Sequence, residues 1–381
     1  MVSVYPSTYV PGFHDAAAVE QMNYSQLGKT DMIVSKVGLG GCPFGNIYGE
    51  MDFNIASEVV HTAIRSGINL IDTAPFYGAG KSEECLGKIL KSIPRQSYYL
   101  ATKVGRYGPD LATMFDYSAE RVLAEFSRSL ERLGVDYVDL IQIHDIEFSS
   151  GGEDILISET LPALQKLKND GKVRHIGVSG YPLDTLKSFV FSSSARSIID
   201  KTGVAIESII TYCRATLIDS ALEEFMPYFK SKHIGVINAS PTAMGLLSPC
   251  GPQPWHPASD EIKQRAKDAV QYCQDNNVSI AKLALHYAVN FPGVTTTLIG
   301  VNNIDMLKEN VSVALKDHKL TSSEQECMNT IQYRYFGGKS PRHHWEGVEL
   351  ERFSAEIKRK SAEKANAEKG FCEAPEAENK F

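Results

Sequence analysis

The sequence predicts an (α/β)8 TIM barrel, and three observations carry that expectation. Apolar, strand-like runs alternate with amphipathic helical stretches along most of the chain, and eight such strands can be counted in the repeating part. Alternation of this kind implies a parallel sheet, and eight units favour a closed barrel over an open doubly wound sheet. The third observation is chemical. Asp72 and Tyr77 in Ile71-Asp-Thr-Ala-Pro-Phe-Tyr77-Gly78, Lys103 in Leu100-Ala-Thr-Lys103 and His144 in Ile141-Gln-Ile-His144 sit at or just past strand carboxyl ends. In a parallel barrel those ends form one rim, where enzymes of this architecture keep their chemistry.

The elements follow in order. Gly28 separates two short segments within Asn23 to Val34 that are expected to pair as a hairpin. Val37 to Gly41 reads as the first barrel strand. Asn54 to Ser66 reads as a helix with Ile55, Val59, Val60, Ala63 and Ile64 on one face and Gly67 at its end. Asn69 to Asp72 is the second strand. Ser82 is the expected N-cap of the next helix, with Glu83 and Glu84 in its first turn and Leu86, Ile89 and Leu90 as its stripe. Tyr98 to Val104 is the third strand. Ser118 to Leu133 repeats the helical pattern through Val122, Leu123, Phe126, Leu130 and Leu133, and Gly134 stops it before the fourth strand, Val138 to His144. Further strands are expected at Arg174 to Ser179, Glu207 to Tyr212, His233 to Ala239 and Thr295 to Gly300, with helices around 159–170, 183–190, 219–231, 260–289 and 304–315. No repeat at fixed period marks the units as copies.

A chain of 381 residues with 43% apolar residues accommodates one barrel of about 250 residues plus additions. We divide it into an irregular amino-terminal segment (1–22), the barrel (23–335) and a carboxyl-terminal extension (336–381). From about Glu351 the extension is rich in Lys, Glu and Ala, which predicts disorder or a frayed helix. His343 and His344 lack a third ligand at a recognisable spacing, so a surface loop is expected there and no metal site. A net charge of -7 and a pI near 5.9 give no general attraction to nucleic acid or anionic lipid. Seven widely spaced cysteines without a Cys-x-x-Cys pair read as reduced thiols. With no signal-like start and no apolar run long enough to span a bilayer, a cytoplasmic protein without a membrane partner is expected.

A tyrosine hydroxyl has a reference pKa of about 10 and exchanges protons at neutral pH only when its surroundings shift it. Lys103 can supply a cation that favours the phenolate, Asp72 can hold that ammonium, and His144 can hydrogen-bond a substrate oxygen. The set suits proton transfer to a carbonyl or from an alcohol; the carbon also needs a hydride, which no side chain provides and a nicotinamide would. Each of the four alone reads more readily as a turn, core or surface residue. Gly38-Leu-Gly-Gly-Cys-Pro43 does not complete Gly-x-Gly-x-x-Gly, and no acidic residue ends a second strand about 20 residues on, so a Rossmann reading is rejected.

Together these residues resemble the aldo-keto reductases, barrel enzymes that transfer hydride between a nicotinamide cofactor and a carbonyl. The resemblance spans roughly Tyr24 to Leu315 and includes Asn69 to Gly78 with Ser82-Glu-Glu-Cys-Leu-Gly87, the Lys103 strand, Leu130-Glu-Arg-Leu-Gly-Val-Asp-Tyr-Val-Asp-Leu140 and Gly171-Lys-Val-Arg-His-Ile-Gly-Val-Ser179. It implies a catalytic tetrad of Asp72, Tyr77, Lys103 and His144, with Tyr77 as general acid or base. It also implies cofactor contacts from Ser179, Tyr212, Ser240, Pro241, Leu246, Ser248, Gly300, Asn302, Glu309 and Asn310.

Departures from the family pattern are informative. Gly180 and Ile209 stand where many members place Asn and Gln to grip the nicotinamide amide, and Ala239 stands where an aromatic ring often stacks, leaving Tyr212 as the nearest substitute. Val301-Asn-Asn-Ile-Asp-Met-Leu-Lys-Glu309-Asn310 carries Asp305 and a single cation, Lys308, which predicts NAD over NADP because a desolvated 2′-phosphate needs positive partners. Thr211-Tyr-Cys-Arg214, Ala239 to Leu247 and Gly251-Pro-Gln-Pro-Trp-His-Pro-Ala-Ser259 resemble the L-galactose dehydrogenase branch, which oxidises a sugar hemiacetal to its lactone. Phe44, Trp255 and His256 are then candidate substrate contacts, although Trp255 and His256 read equally well as parts of a proline-stiffened loop packed on the rim. The alternatives are a general aldehyde or ketone reductase using NAD(P)H and a non-catalytic, channel-regulatory subunit of the same fold. The partner expected is a small sugar or aldehyde; monomer and homodimer stay open.

Overall fold

The computed structural model describes residues 5–111, 113–200 and 204–372. Ten strands are present among them. β1 (Tyr24–Gln26) and β2 (Ile33–Ser35) pair antiparallel, Ser25 opposite Val34. The other eight are β3 (Val37–Gly40), β4 (Leu70–Asp72), β5 (Tyr99–Val104), β6 (Val138–Ile143), β7 (Val173–Gly180), β8 (Ser208–Tyr212), β9 (Gly235–Ala239) and β10 (Thr296–Ile299). They pair in parallel in chain order, and β10 returns to β3 with Thr297 opposite Val37, closing the barrel.

The hairpin plugs the amino-terminal mouth. Leu27, Met32 and Val34 share one cluster with Leu70, Tyr99, Ala101, Leu140, Ile210, Ile237 and Leu298, the inward-facing residues of the strands. Gly28 permits this close seating: its φ is +57°, and a Cβ there would lie 2.3 Å from the backbone N of Gly235. Outward-facing residues such as Val37, Ile71, Leu100, Ile141, Ile176 and Val236 pack instead against the helices. Both faces of the sheet are therefore dry, which explains strands that read as continuous apolar runs.

Helices keep near their expected positions with several differences, among them a helix Leu183–Asp200 that runs past its expected end at 190. Ser82 is not an N-cap: the helix Lys81–Leu90 starts after left-handed Gly80, and Ser82 Oγ donates to Gly41 O at 2.8 Å and bonds Thr73 Oγ1 at 2.8 Å, tying the helix to the rim. The long stretch 260–289 is two helices, Asp260–Asp275 and Ile280–Val289, because Asn277 turns left-handed (φ 54°) and Ser279 caps the second by accepting from Lys282 N. Three helices lie outside the expected stretches, Gly152–Ile155 among them. Ala16–Gln21 is capped by Asp15, and Ser322–Thr330 has a capping box between Thr321 and Glu324. The extension differs most: Val348–Cys372 is helical, and its first turns pack on the carboxyl rim. No helix among the described residues is long and apolar enough to cross a membrane.

Candidate functional site

Three strand ends and one turn build the site. Asp72 is the last residue of β4, Lys103 the penultimate residue of β5, and His144 follows β6 directly. Tyr77 stands in the turn after β4, which is fixed from both sides. A Cβ on Gly45 would come within 2.6 Å of Tyr77 C and O, and one on left-handed Gly78 within 2.2 Å of Gly45 O. Beyond the turn, Glu83 is fully buried; its carboxylate accepts from Arg132 Nε at 2.7 Å and Thr102 Oγ1 at 2.6 Å. This pair accounts for the Glu and Arg in the two motifs that carry the resemblance.

The structure brings the four predicted residues together. Lys103, 2% exposed, forms an ion pair with Asp72 and donates to Thr73 O at 2.9 Å and to Tyr77 Oη at 3.3 Å. Gln142 Nε2 donates to the second Asp72 oxygen at 2.9 Å. The His144 ring stands perpendicular to that of Tyr77 at a centroid distance of 5.9 Å, and Nε2 lies 3.6 Å from Asp145 Oδ2. Burial pushes the pKa of His144 down to about 3, so the imidazole is neutral at physiological pH. Burial also raises Tyr77 well above its ordinary value, with the nearby Cys42 and Asp72 adding to the effect, so the free protein holds a phenol. Asp72 is raised by the same desolvation, which Lys103 and Gln142 oppose.

Other predicted positions divide into accessible and buried ones. Ser179 is 2% exposed and accepts from the backbone N of Asp145 at 3.2 Å. The segment after β9 curls tightly through left-handed Ser240, Ala243, Met244 and Gly245, with Ser248 Oγ donating to Gly245 O at 2.8 Å. Pro241 and Leu246 are buried within that curl, so Leu246 offers only its backbone. Gly300 and Asn302 are exposed, and Glu309 and Asn310 half-buried, around the helix Ile304–Ala314, whose first turn Asn303 caps by accepting from Met306 N at 2.8 Å. Capped helix starts and curled turns present N–H groups suited to phosphate.

Three positions are corrected. Phe44 is 3% exposed and packs in the hydrophobic core, not on an open rim. His256 is 1% exposed, its Nε2 bonded to Ala243 O at 3.1 Å and its Nδ1 accepting from Ala258 N at 3.1 Å; it fastens the loop rather than covering a ligand. Ile209 packs in the outer, helix-facing layer, where no side chain would touch a nicotinamide. Trp255 is 47% exposed and leans toward Tyr48 at a centroid distance of 6.2 Å. At Gly180, the Glu147 carboxylate lies 2.8 Å from where a Cβ would stand, filling the space an Asn would need.

Sequence reasoning missed Gln142, Arg106, Asp145 and Glu349. Gln142 was visible as a polar residue inside an apolar strand. Arg106 pairs with Asp145 at 2.6 Å and lies 3.7 Å over the Phe76 ring. Glu349 arrives from the extension, and no motif announced it.

The closed parallel barrel carries this lysine-centred cluster at its carboxyl rim, and residues 36–331 match the Aldo/keto reductase family, a family of oxidoreductases. The chain belongs to that family, whose members use nicotinamide cofactors. It is 43% identical over 308 residues to the L-galactose dehydrogenase of Arabidopsis thaliana, covering 80% of this chain and 92% of that protein. It is 34% identical over 316 residues to the D-arabinose 1-dehydrogenase of Saccharomyces cerevisiae, covering 80% and 91%. The solved holo form of an aldo-keto reductase from Bacillus halodurans superposes with a TM-score of 0.62 at 27% identity, covering 85% of this chain and 98% of that one.

Proposed function

We propose that this enzyme oxidises the cyclic hemiacetal of an aldose to its lactone, with NAD as the preferred acceptor. The contact of Lys103 Nζ with Tyr77 Oη at 3.3 Å, inside a cluster that also holds Asp72 and His144, carries the reading. A bound oxidised nicotinamide would supply the hydride acceptor. Residues suited to hold it are Ser179, Ser240, the backbone around Leu246, Ser248, Gly300, Asn302, Glu309 and Asn310, with Tyr212 at the end of β8 as the nearest aromatic.

The chain's own work is proton handling and orientation. Lys103, held by Asp72, stabilises the phenolate of Tyr77, which accepts the proton of the anomeric hydroxyl as hydride leaves C1 and the C1–O bond becomes a carbonyl. His144, neutral and adjacent, can donate a hydrogen bond to the same oxygen and fix its position. Asp305 and the single cation Lys308 around the helix Ile304–Ala314, both exposed, favour a ribose hydroxyl over a 2′-phosphate. The sugar dehydrogenases among the relatives support the substrate class.

One observation favours the reverse direction as a second reading. Burial keeps Tyr77 protonated in the free protein, which suits proton donation to an aldehyde during reduction. Mixing the enzyme with NAD or NADP and L-galactose, L-fucose or D-arabinose, against aldehydes with NADH or NADPH, decides between them. Sugar oxidation that exceeds aldehyde reduction supports the dehydrogenase; aldehyde reduction alone refutes it.

A further inference from the structure

The carboxyl-terminal extension lies outside the 36–331 span of the family match, yet it places a carboxylate at the barrel mouth. Trp345, 3% exposed, stacks on Tyr181 with centroids 5.3 Å apart and meets His256 edge-on at 4.8 Å. Glu346 pairs with Arg214 at 3.1 Å, and Phe353 packs edge-on against Phe115 and Phe148 at 5.2 and 5.5 Å. Between these anchors Glu349 Oε2 accepts a hydrogen bond from Tyr212 Oη at 3.2 Å.

Arg106 acts electrostatically on Glu349 and on His144, and its Nε is buried without a protein partner. The ring beneath it, Phe76, meets the ring of His144 edge-on at 6.0 Å and adjoins Tyr77 in sequence. The guanidinium thus lies near the proton-transfer pair, and the Glu349 carboxylate lies within its electrostatic reach. A hydroxyl group donates and accepts at once, so neighbouring substrate hydroxyls can bond Arg106 Nε and share the Glu349 carboxylate, whereas an alkyl chain would leave that Nε without a partner in a desolvated site.

Resting on the sugar reading, we infer that Glu349, with Arg106, is a specificity determinant supplied by the extension, selecting polyhydroxylated substrates over hydroxyl-free aldehydes. The test compares wild type, Glu349→Gln and, as a control, Glu351→Gln, whose residue is exposed two positions further along the same helix. Two readouts are used: the ratio of kcat/KM for an aldopentose to that for pentanal, and the affinity for an aldonolactone. The affinity is followed by fluorescence of Trp255 and Trp345, the only two tryptophans of the chain. In Glu349→Gln the ratio and the lactone affinity should each fall about 10- to 100-fold, one charged hydrogen bond, while Glu351→Gln keeps both. An unchanged ratio and affinity, or a parallel fall for sugar and pentanal, overturns the inference. If wild type oxidises no sugar, the dehydrogenase reading fails on its own. The lactone titration still decides here: weaker binding by Glu349→Gln upholds the inference, and equal or no binding by both proteins overturns it.

Discussion

Lys103 Nζ lies 3.3 Å from Tyr77 Oη while it is paired with buried Asp72, so one ammonium serves both a structural carboxylate and a reactive phenol. The two roles separate experimentally. Tyr77→Phe removes the proton carrier and leaves the ion pair, so kcat should fall about 10²- to 10⁴-fold while the melting temperature stays within a few degrees of wild type. Steady-state kinetics and thermal melts on the same samples check both halves.

Lys103→Met should cost stability as well as activity, because buried Asp72 loses the cation that opposes its desolvation and keeps Gln142 as its polar side-chain partner among the described residues. Breaking one side of a buried pair costs about 3–5 kcal/mol, and replacing both sides by apolar groups restores much of it. Urea denaturation of Lys103→Met and of Lys103→Met/Asp72→Leu measures the difference; the double variant should be the more stable and equally inactive.

Much of this site was legible because its residues occupy strand ends, where alternation and chain order fix position before any contact is known. Asp72, Lys103 and His144 needed only the eight-strand pattern to be placed on one rim. The hairpin was legible from Gly28 and its flanks. Residues that depend on tertiary packing were hidden. The helix at Val348 reads as a solvated charged segment, and only the aromatic slots around Tyr181 and Phe148 give Trp345 and Phe353 somewhere to seat. His256 failed in the opposite sense: a loop histidine looked available, but its two backbone hydrogen bonds bury it.

The pH response of stability follows from His144. Its folded pKa of about 3 lies below the ordinary 6.5, so between those values the unfolded chain binds the extra proton, and stability rises with pH through that window and is lost as acid is added. From pH 7 to pH 5 this site should remove about 2 kcal/mol. His144→Gln should show a correspondingly shallower loss in denaturation curves measured at the two pH values.

Gly87 lies where the helix bearing Glu83 crosses the helix bearing Arg132. A Cβ there would fall 2.0 Å from Arg132 O, and backbone on both sides leaves no flexible group to yield. Gly87→Ala should destabilise the protein by about 3 kcal/mol or more, the upper range of overpacking, and lower activity only in proportion to the folded fraction.

Cofactor choice is open to a charge change at one exposed position. Asp305→Arg would add a cation and remove an anion around the helix Ile304–Ala314, and should tighten NADP binding about tenfold with little change for NAD. Titration of both nucleotides by tryptophan quenching reads the effect.

The central claim concerns what leaves the sugar and what receives its proton. Incubating the enzyme with NAD and an aldose of the L-galactose or D-arabinose type, and measuring reduced nicotinamide and lactone together, tests it most directly. The account predicts one lactone per NADH for wild type and neither product for Tyr77→Phe; lactone formation undiminished in Tyr77→Phe would contradict it.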